Sequence, residues 1–312
     1  MVGRGVPPGG SRPWLREKAP GLHRFLTRGD SPYPAVREVV AGALVIVVLL
    51  GILYGATGQP VAGGYPVVVV TSGSMMHCAN AGPDGTGPPL GRDCDAQGYG
   101  RLGTIDPGDL VFVRRIADRA DVATLAQGGS GHYGKPGDVV VYRPSGHTDV
   151  TPIIHRALFY VQVNDSDHTF SVPDLGIFHQ ATLDQPALTA LSHCTLAGSG
   201  VHGRWTMADS GFVTKGDNNQ VADQCPGGIT PYPARLDWIL GKARGELPWF
   251  GLIKLFVDDL RGSSRNFGNA AGDAKVMLGV SLAVLVALPY GVTAARRVLR
   301  RRGGDPPPPK RP

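Results

Sequence analysis

Three kinds of side chain in this sequence could do chemistry together. The first are hydroxyls: the apolar run Val67-Val68-Val69-Val70 ends in Thr71-Ser72-Gly73-Ser74-Met75-Met76. A strand of β-branched residues that stops on two serines flanking a glycine is a place where a scaffold presents a nucleophile. Taken alone, the same residues read as a turn serine and a hydrogen-bonded cap. A serine at its ordinary pKa is a weak nucleophile and needs a base and a group to hold developing negative charge. An imidazole is the second element, at His155 within Pro152-Ile153-Ile154-His155-Arg156-Ala157-Leu158. In an extended segment Ile154 and Arg156 point to the opposite face from His155. An imidazole titrates near pH 6.5 and can accept a proton at neutral pH with orientation alone, whereas a lysine base must first be desolvated. The third element is a carboxylate within Gly216-Asp217-Asn218-Asn219-Gln220-Val221-Ala222-Asp223. Gly216 to Asn219 reads as a turn, which gives Asp217 a supporting role.

The elements that position these groups follow from the distribution of apolar residues. The chain has 312 residues, 42% hydrophobic and 18% charged, ordinary for a folded protein. Two blocks stand out, Val39 to Ala56 and Val276 to Ala295, both without a charged residue. At about 1.5 Å per residue each is close to the length that crosses a hydrocarbon core of roughly 30 Å, and both read as transmembrane helices. Arg4, Arg12, Arg16, Lys18, Arg24, Arg28 and Arg37 precede the first, and Arg296, Arg297, Arg300, Arg301 and Arg302 follow the second. Basic flanks stay on the cytoplasmic side, so both termini are expected there and the middle outside. The net charge of +6 is then a topology signal. With no aromatic-interleaved basic patch or zinc-finger spacing, nucleic acid is not an expected partner.

All four cysteines, Cys78, Cys94, Cys194 and Cys225, fall in the middle segment. In an oxidising compartment an even number suggests disulfides, and of three pairings Cys78 with Cys94 and Cys194 with Cys225 are favoured because each closes a Gly/Pro/Asp-rich loop. Absent paired ligand spacing, no metal or other cofactor is expected. Pro66 to Thr71, Asp109 to Arg114, Asp138 to Arg143, Ile153 to Val163 and Gly211 to Thr214 are strand-like runs without long helices between them, which implies antiparallel pairing. Asp109 and Asp138, each after a glycine, read as residues that set strand entry. His132, His147, His168, His179, His193 and His202 read as surface residues. Two long segments interrupt the pattern, near 77–102 and 165–209. Residues 1–38 form a basic leader, 57–273 the domain between the apolar blocks, and 296–312 a basic tail with a polyproline run. Trp249 and Phe250 fit a membrane interface and a packed core equally.

Ser72-Gly73-Ser74-Met75, Gly108-Asp109-Leu110-Val111, Gly137-Asp138-Val139-Val140-Val141-Tyr142, Ile154-His155-Arg156 and Gly216-Asp217-Asn218-Asn219 through Asp223 occur in that order. The set resembles the type I signal peptidases of the endoplasmic-reticulum and archaeal type, in which histidine replaces lysine. The resemblance covers roughly residues 39 to 255. It implies a mainly β fold, an antiparallel catalytic domain flanked by N- and C-terminal transmembrane helices, held outside the plasma membrane. It implies removal of signal peptides from exported precursors, with Ser74 as nucleophile, His155 as general base and Asp223 as the carboxylate that orients it. Ser72, with the Ser74 N–H, would form the oxyanion hole. Met75, Val69 and Val70 would meet the substrate, and Asp217 would support the site. Val67 to Val70 would offer an edge on which an extended precursor adds. Lys215 would belong to the turn and face solvent. The family's usual proline two positions after Met75 is His77 here, a second imidazole near Ser74. The expected partners are signal peptides and membrane lipid. A peptidase dedicated to a narrow set of surface or fibre-forming substrates and a membrane-anchored binding module without turnover are the alternatives.

Overall fold

The computed structural model describes residues 34–77, 104–129, 131–164, 166–196 and 209–302. Residues 1–33 of the leader, the proposed Cys78–Cys94 bond, His202 and the polyproline tail lie outside those residues. The chain divides into two units, Met1–Ala56 and Thr57–Pro312. The described part of the first is one helix, α1 (Pro34–Thr57), whose segment Val36–Thr57 is long and apolar enough to cross a membrane. It begins earlier than the apolar block, because Pro34 sits at its first position, where a missing N–H costs nothing.

The second unit is built on an antiparallel half-barrel sheet of nine strands: β1 (Val67–Val69), β2 (Leu110–Arg114), β3 (Val139–Tyr142), β4 (Ile153–Asn164), β5 (Thr169–Val172), β6 (Ile177–Gln180), β7 (Gly211–Lys215), β8 (Ala234–Arg235) and β9 (Ile239–Leu247). The order is β1-β2-β9-β3-β4-β5-β6, with β7 on β4 and β8 on β7. The five strand-like runs all become strands. The register of β9 slips against β2 at Phe112/Val113 and against β3 at Val141/Tyr142. Such bulges bend a strand and raise its twist, and they curl this sheet. Gly241 sits at the crowded turn of that path, where a Cβ would lie 2.4 Å from the Arg114 carbonyl oxygen.

Packing follows the two-residue alternation. Val70, Met75, Ile105, Val111, Tyr133 and Val139 form one buried cluster, and Leu158, Phe159, Val161, Phe170, Val172 and Leu188 another. Burying a side chain such as Phe159 contributes about 1.5–3 kcal/mol. The second cluster explains a departure from expectation. The segment after Asp165, which interrupts the strand pattern in the sequence, contains the β5–β6 hairpin and a short helix, α2 (Pro186–Ser192), which place Phe170, Val172 and Leu188 on the sheet. The Cys194–Cys225 disulfide ties this segment back to the core.

After β9 come α3 (Leu252–Leu260) and α4 (Gly272–Arg302), the second helix with a segment, Gly272–Ala295, apolar and long enough to cross a membrane. Ala274 and Leu278 of α4 pack with Leu252 and Leu255 of α3 and with Val69. Trp249 joins this cluster and donates its indole N–H to the Ser281 hydroxyl at 3.0 Å, so packing and not solvent fixes its ring.

Candidate active site

Ser74 is displayed by the turn that follows β1. Val70 still bonds β2's entry, donating its N–H to the Asp109 carbonyl and accepting from Gly108 N–H. The chain then turns over Gly73–Met76, with Met76 N–H donating to the Gly73 carbonyl. Met75 and Met76 are both buried and draw the chain back inward, which leaves Ser72 and Ser74 on the outer side of the turn. The turn is held from the other side by the segment after β7. Asn218 donates its N–H to the Ser74 carbonyl at 2.8 Å and its side-chain amide to the Gly73 carbonyl at 3.1 Å. Gly216 is required for that approach, because a Cβ there would stand 2.6 Å from the Ser74 carbonyl oxygen.

His155 lies on β4 opposite Val140 of β3. In a flat sheet the four strand spacings between β1 and β4 would separate them by roughly 19 Å. The curl closes that span: the Ser74 Oγ is 3.0 Å from His155 Nε2. The other ring nitrogen, Nδ1, is 2.8 and 2.7 Å from the two oxygens of Asp223. Since a carboxylate only accepts, Nδ1 carries the proton and Nε2 is free to accept from Ser74. Asp223 is buried and receives two further donors on Oδ2, the Tyr142 phenol and the Thr214 hydroxyl, both at 2.7 Å. Burial first, and then the Asp223 charge, push the Tyr142 phenol well above its ordinary range, so it stays a donor. Tyr142 pairs with Ile153, two residues from His155 and on the same face, which is why it reaches the same carboxylate. Nothing in the local sequence marks it; the signal lies in a register with a strand eleven residues away.

Ser72 is exposed, with its Oγ 3.4 Å from the Ser74 Oγ. Both serines therefore face the same space, an open groove of about 1420 Å³. One wall is Val67–Thr71, the other Thr151–His155, and the far end is lined by α3 residues including Lys254 and Asp258. Pro66 and Val70 bond toward β2, so by antiparallel alternation the N–H and C=O of Val67 and Val69 point out into the groove. Val69 and Val70 both border it, although the Val70 side chain is buried in the core. Met75 does not: it is 1% exposed and packs with Val70, Ile105 and Val111, because its side chain is the anchor of the turn.

Asp217 is more than a turn residue. Its carboxylate takes the Arg156 guanidinium through Nε at 2.8 Å and Nη2 at 2.6 Å, and His77 Nε2 at 2.6 Å. Burial opposes its charge, but the Arg156 and His77 hydrogen bonds outweigh it and hold the carboxyl well below the usual range. Arg156 also donates to the carbonyls of Tyr133 and Gly137, fixing the loop before β3. Lys215, expected to face solvent, is 6% exposed and donates to the Asn219 carbonyl. Its stem is covered because Lys215 lies opposite the buried Arg156 of β4 and turns back onto the Asn219 carbonyl.

Asp109 accepts from Asp106 N–H and Trp249 N–H, and burial pushes its carboxyl up to about 6. Asp138 accepts from Ala123 N–H and pairs with Lys242 and Arg244. Both tie strand entries to β9 or its continuation. His132, His147, His168 and His179 are exposed, while His193 is half-buried and caps α2 in a left-handed conformation. Among the described residues no cluster of His, Cys, Asp and Glu is placed to hold a metal ion. No protein-family model matches the chain, and no curated protein matches it.

Proposed function

We propose that this chain is a membrane-anchored serine endopeptidase that removes signal peptides from exported precursor proteins. The observation that carries the reading is the continuous line Ser74 Oγ, His155 Nε2, His155 Nδ1, Asp223, with separations of 3.0 Å and 2.7 Å. Both lie in the range in which protons pass between positioned groups.

In the reaction, His155 Nε2 takes the Ser74 proton as Oγ attacks the scissile carbonyl carbon. The imidazolium is stabilised by Asp223, and the oxyanion is met by the Ser74 N–H and the Ser72 hydroxyl. Among the described residues the Ser74 N–H has no acceptor, so it is available to that oxygen. His155 then protonates the leaving amine, which departs and leaves an ester on Ser74. A water, deprotonated by His155, attacks the ester and restores the serine. The outward main chain of Val67 and Val69 supports binding of an extended substrate by strand addition. Exclusion of side-chain bulk is left to the groove walls.

The two apolar helices and the basic residues outside them support a two-span topology in the plasma membrane, with both termini cytoplasmic and the domain outside. The disulfide agrees with an oxidising compartment. The decisive experiment reconstitutes the full chain in vesicles with a precursor carrying a signal peptide: the wild type cleaves it and Ser74→Ala does not. Undiminished cleavage by Ser74→Ala would refute the assignment. A C-terminal epitope that external protease removes from right-side-out vesicles would refute the topology.

A further inference from the structure

His77 lies outside the line that runs from Ser74 to Asp223, yet one carboxylate connects it to that line. Asp217 Oδ2 is 2.6 Å from His77 Nε2 and 2.6 Å from Arg156 Nη2. His77 is the third residue after the nucleophile, and Arg156 directly follows the base. β1 and β4 share no ladder, since β2, β9 and β3 stand between them in the sheet. The curl of the sheet brings Ser74 and His155 together, and contacts between the nucleophile loop and β4 that bypass the ladder can then fix their spacing. Asn218 holds the Gly73 and Ser74 carbonyls from the segment after β7, and His77–Asp217–Arg156 adds a side-chain bridge that touches both the nucleophile loop and β4 directly.

The chemistry of the bridge fixes its direction. Asp217, paired bidentately with a guanidinium, is an acceptor, so the proton resides on His77 Nε2. The ring is confined on its other side by Gly134, where a Cβ would lie 3.1 Å from Nδ1 and Cε1. We propose that His77 is a positioning residue of the hydrolytic site: by donating Nε2–H to Asp217 it holds the nucleophile loop in register with the strand that carries the base. The inference rests on the peptidase reading above.

The test uses the full chain in vesicles as wild type, His77→Ala and His77→Gln, with precursor cleavage and the rate of Ser74 labelling by a fluorophosphonate as readouts. Loss of a hydrogen bond to a charged acceptor predicts a fall of roughly ten- to a hundred-fold in kcat and in labelling, with KM held within about two-fold. His77→Gln, whose amide nitrogen can reach Asp217, restores most of both rates. Wild-type rates in His77→Ala, a loss carried by KM, or a Gln variant as slow as Ala would each overturn the proposal. Should His77→Ala melt well below the wild type, the Gln variant alone decides by the same criterion. A wild-type chain that neither labels nor cleaves overturns the hydrolytic reading instead, a failure visible before any His77 variant is made.

Discussion

Two imidazole–carboxylate pairs sit side by side in this domain, and they differ in what else the carboxylate holds. Asp223, opposite His155, receives two neutral hydroxyls, from Tyr142 and Thr214. Asp217, opposite His77, receives a guanidinium. Hydroxyls orient a carboxylate and leave its charge for the imidazole, whereas a guanidinium cancels that charge. The first pair can stabilise an imidazolium; the second can only aim a ring. On the peptidase reading, chemistry and scaffolding thus diverge by the choice of one neighbour.

That contrast can be broken most directly at the two acids. Asp223→Asn should lower kcat by roughly three to four orders of magnitude with a folded protein, because the wrong tautomer of His155 is favoured. Steady-state cleavage together with a melting curve checks it. Asp217→Asn should act the other way round, on stability first: it leaves Arg156 buried without its counter-charge, at a cost of about 3–5 kcal/mol read from a denaturant midpoint. A stable but inactive Asp217→Asn protein would contradict the division of roles. Its pH dependence sharpens the point. Asp217 has a folded pKa below its unfolded one, so its contribution is present above about pH 4 and is lost as the pH falls below that. Wild-type stability should therefore drop in that acid window more steeply than that of Asp217→Asn.

Smaller effects are expected further out. Cys194 and Cys225 are 31 positions apart, so opening the disulfide releases a loop whose closure is worth about 3–4 kcal/mol. Melting with and without reductant measures this. Tyr142→Phe removes one donor from Asp223 and should reduce kcat about ten-fold with KM unchanged. An unaltered kcat would mean that Thr214 alone suffices to orient the acid.

The two apolar helices and the strands near Ser74 and His155 were legible in the sequence because each is encoded locally, by uncharged runs and by β-branched residues bounded by glycine and proline. Ser74, His155 and Asp223 were singled out by the resemblance that the order of the motifs carries, since each alone reads as a structural residue, and they lie together in the fold. What escaped was everything set by register or by close approach. The clamp of Asn218 on the nucleophile turn depends on Gly216 lying against the Ser74 carbonyl, a contact 142 positions apart in the chain. Lys215 was expected in solvent because the resemblance places it in the turn, yet it lies opposite the buried Arg156 of β4. Met75 looked like a substrate contact because it adjoins Ser74, but the turn sends it into the core. The hairpin Thr169–Gln180 was hidden by strands of four residues each, too short for alternation to stand out.

The free rim of β1 carries one more implication. What Val67 and Val69 offer outward is amide and carbonyl: no amino-acid replacement removes the carbonyl, and only proline removes the N–H. A blocker that copies an extended backbone, with donors and acceptors alternating to match those two residues, would grip a feature the protein cannot easily mutate away. Substitutions on the opposite bank, at Pro152 or Ile154, would change the side chains that line the channel and leave that main-chain rim in place.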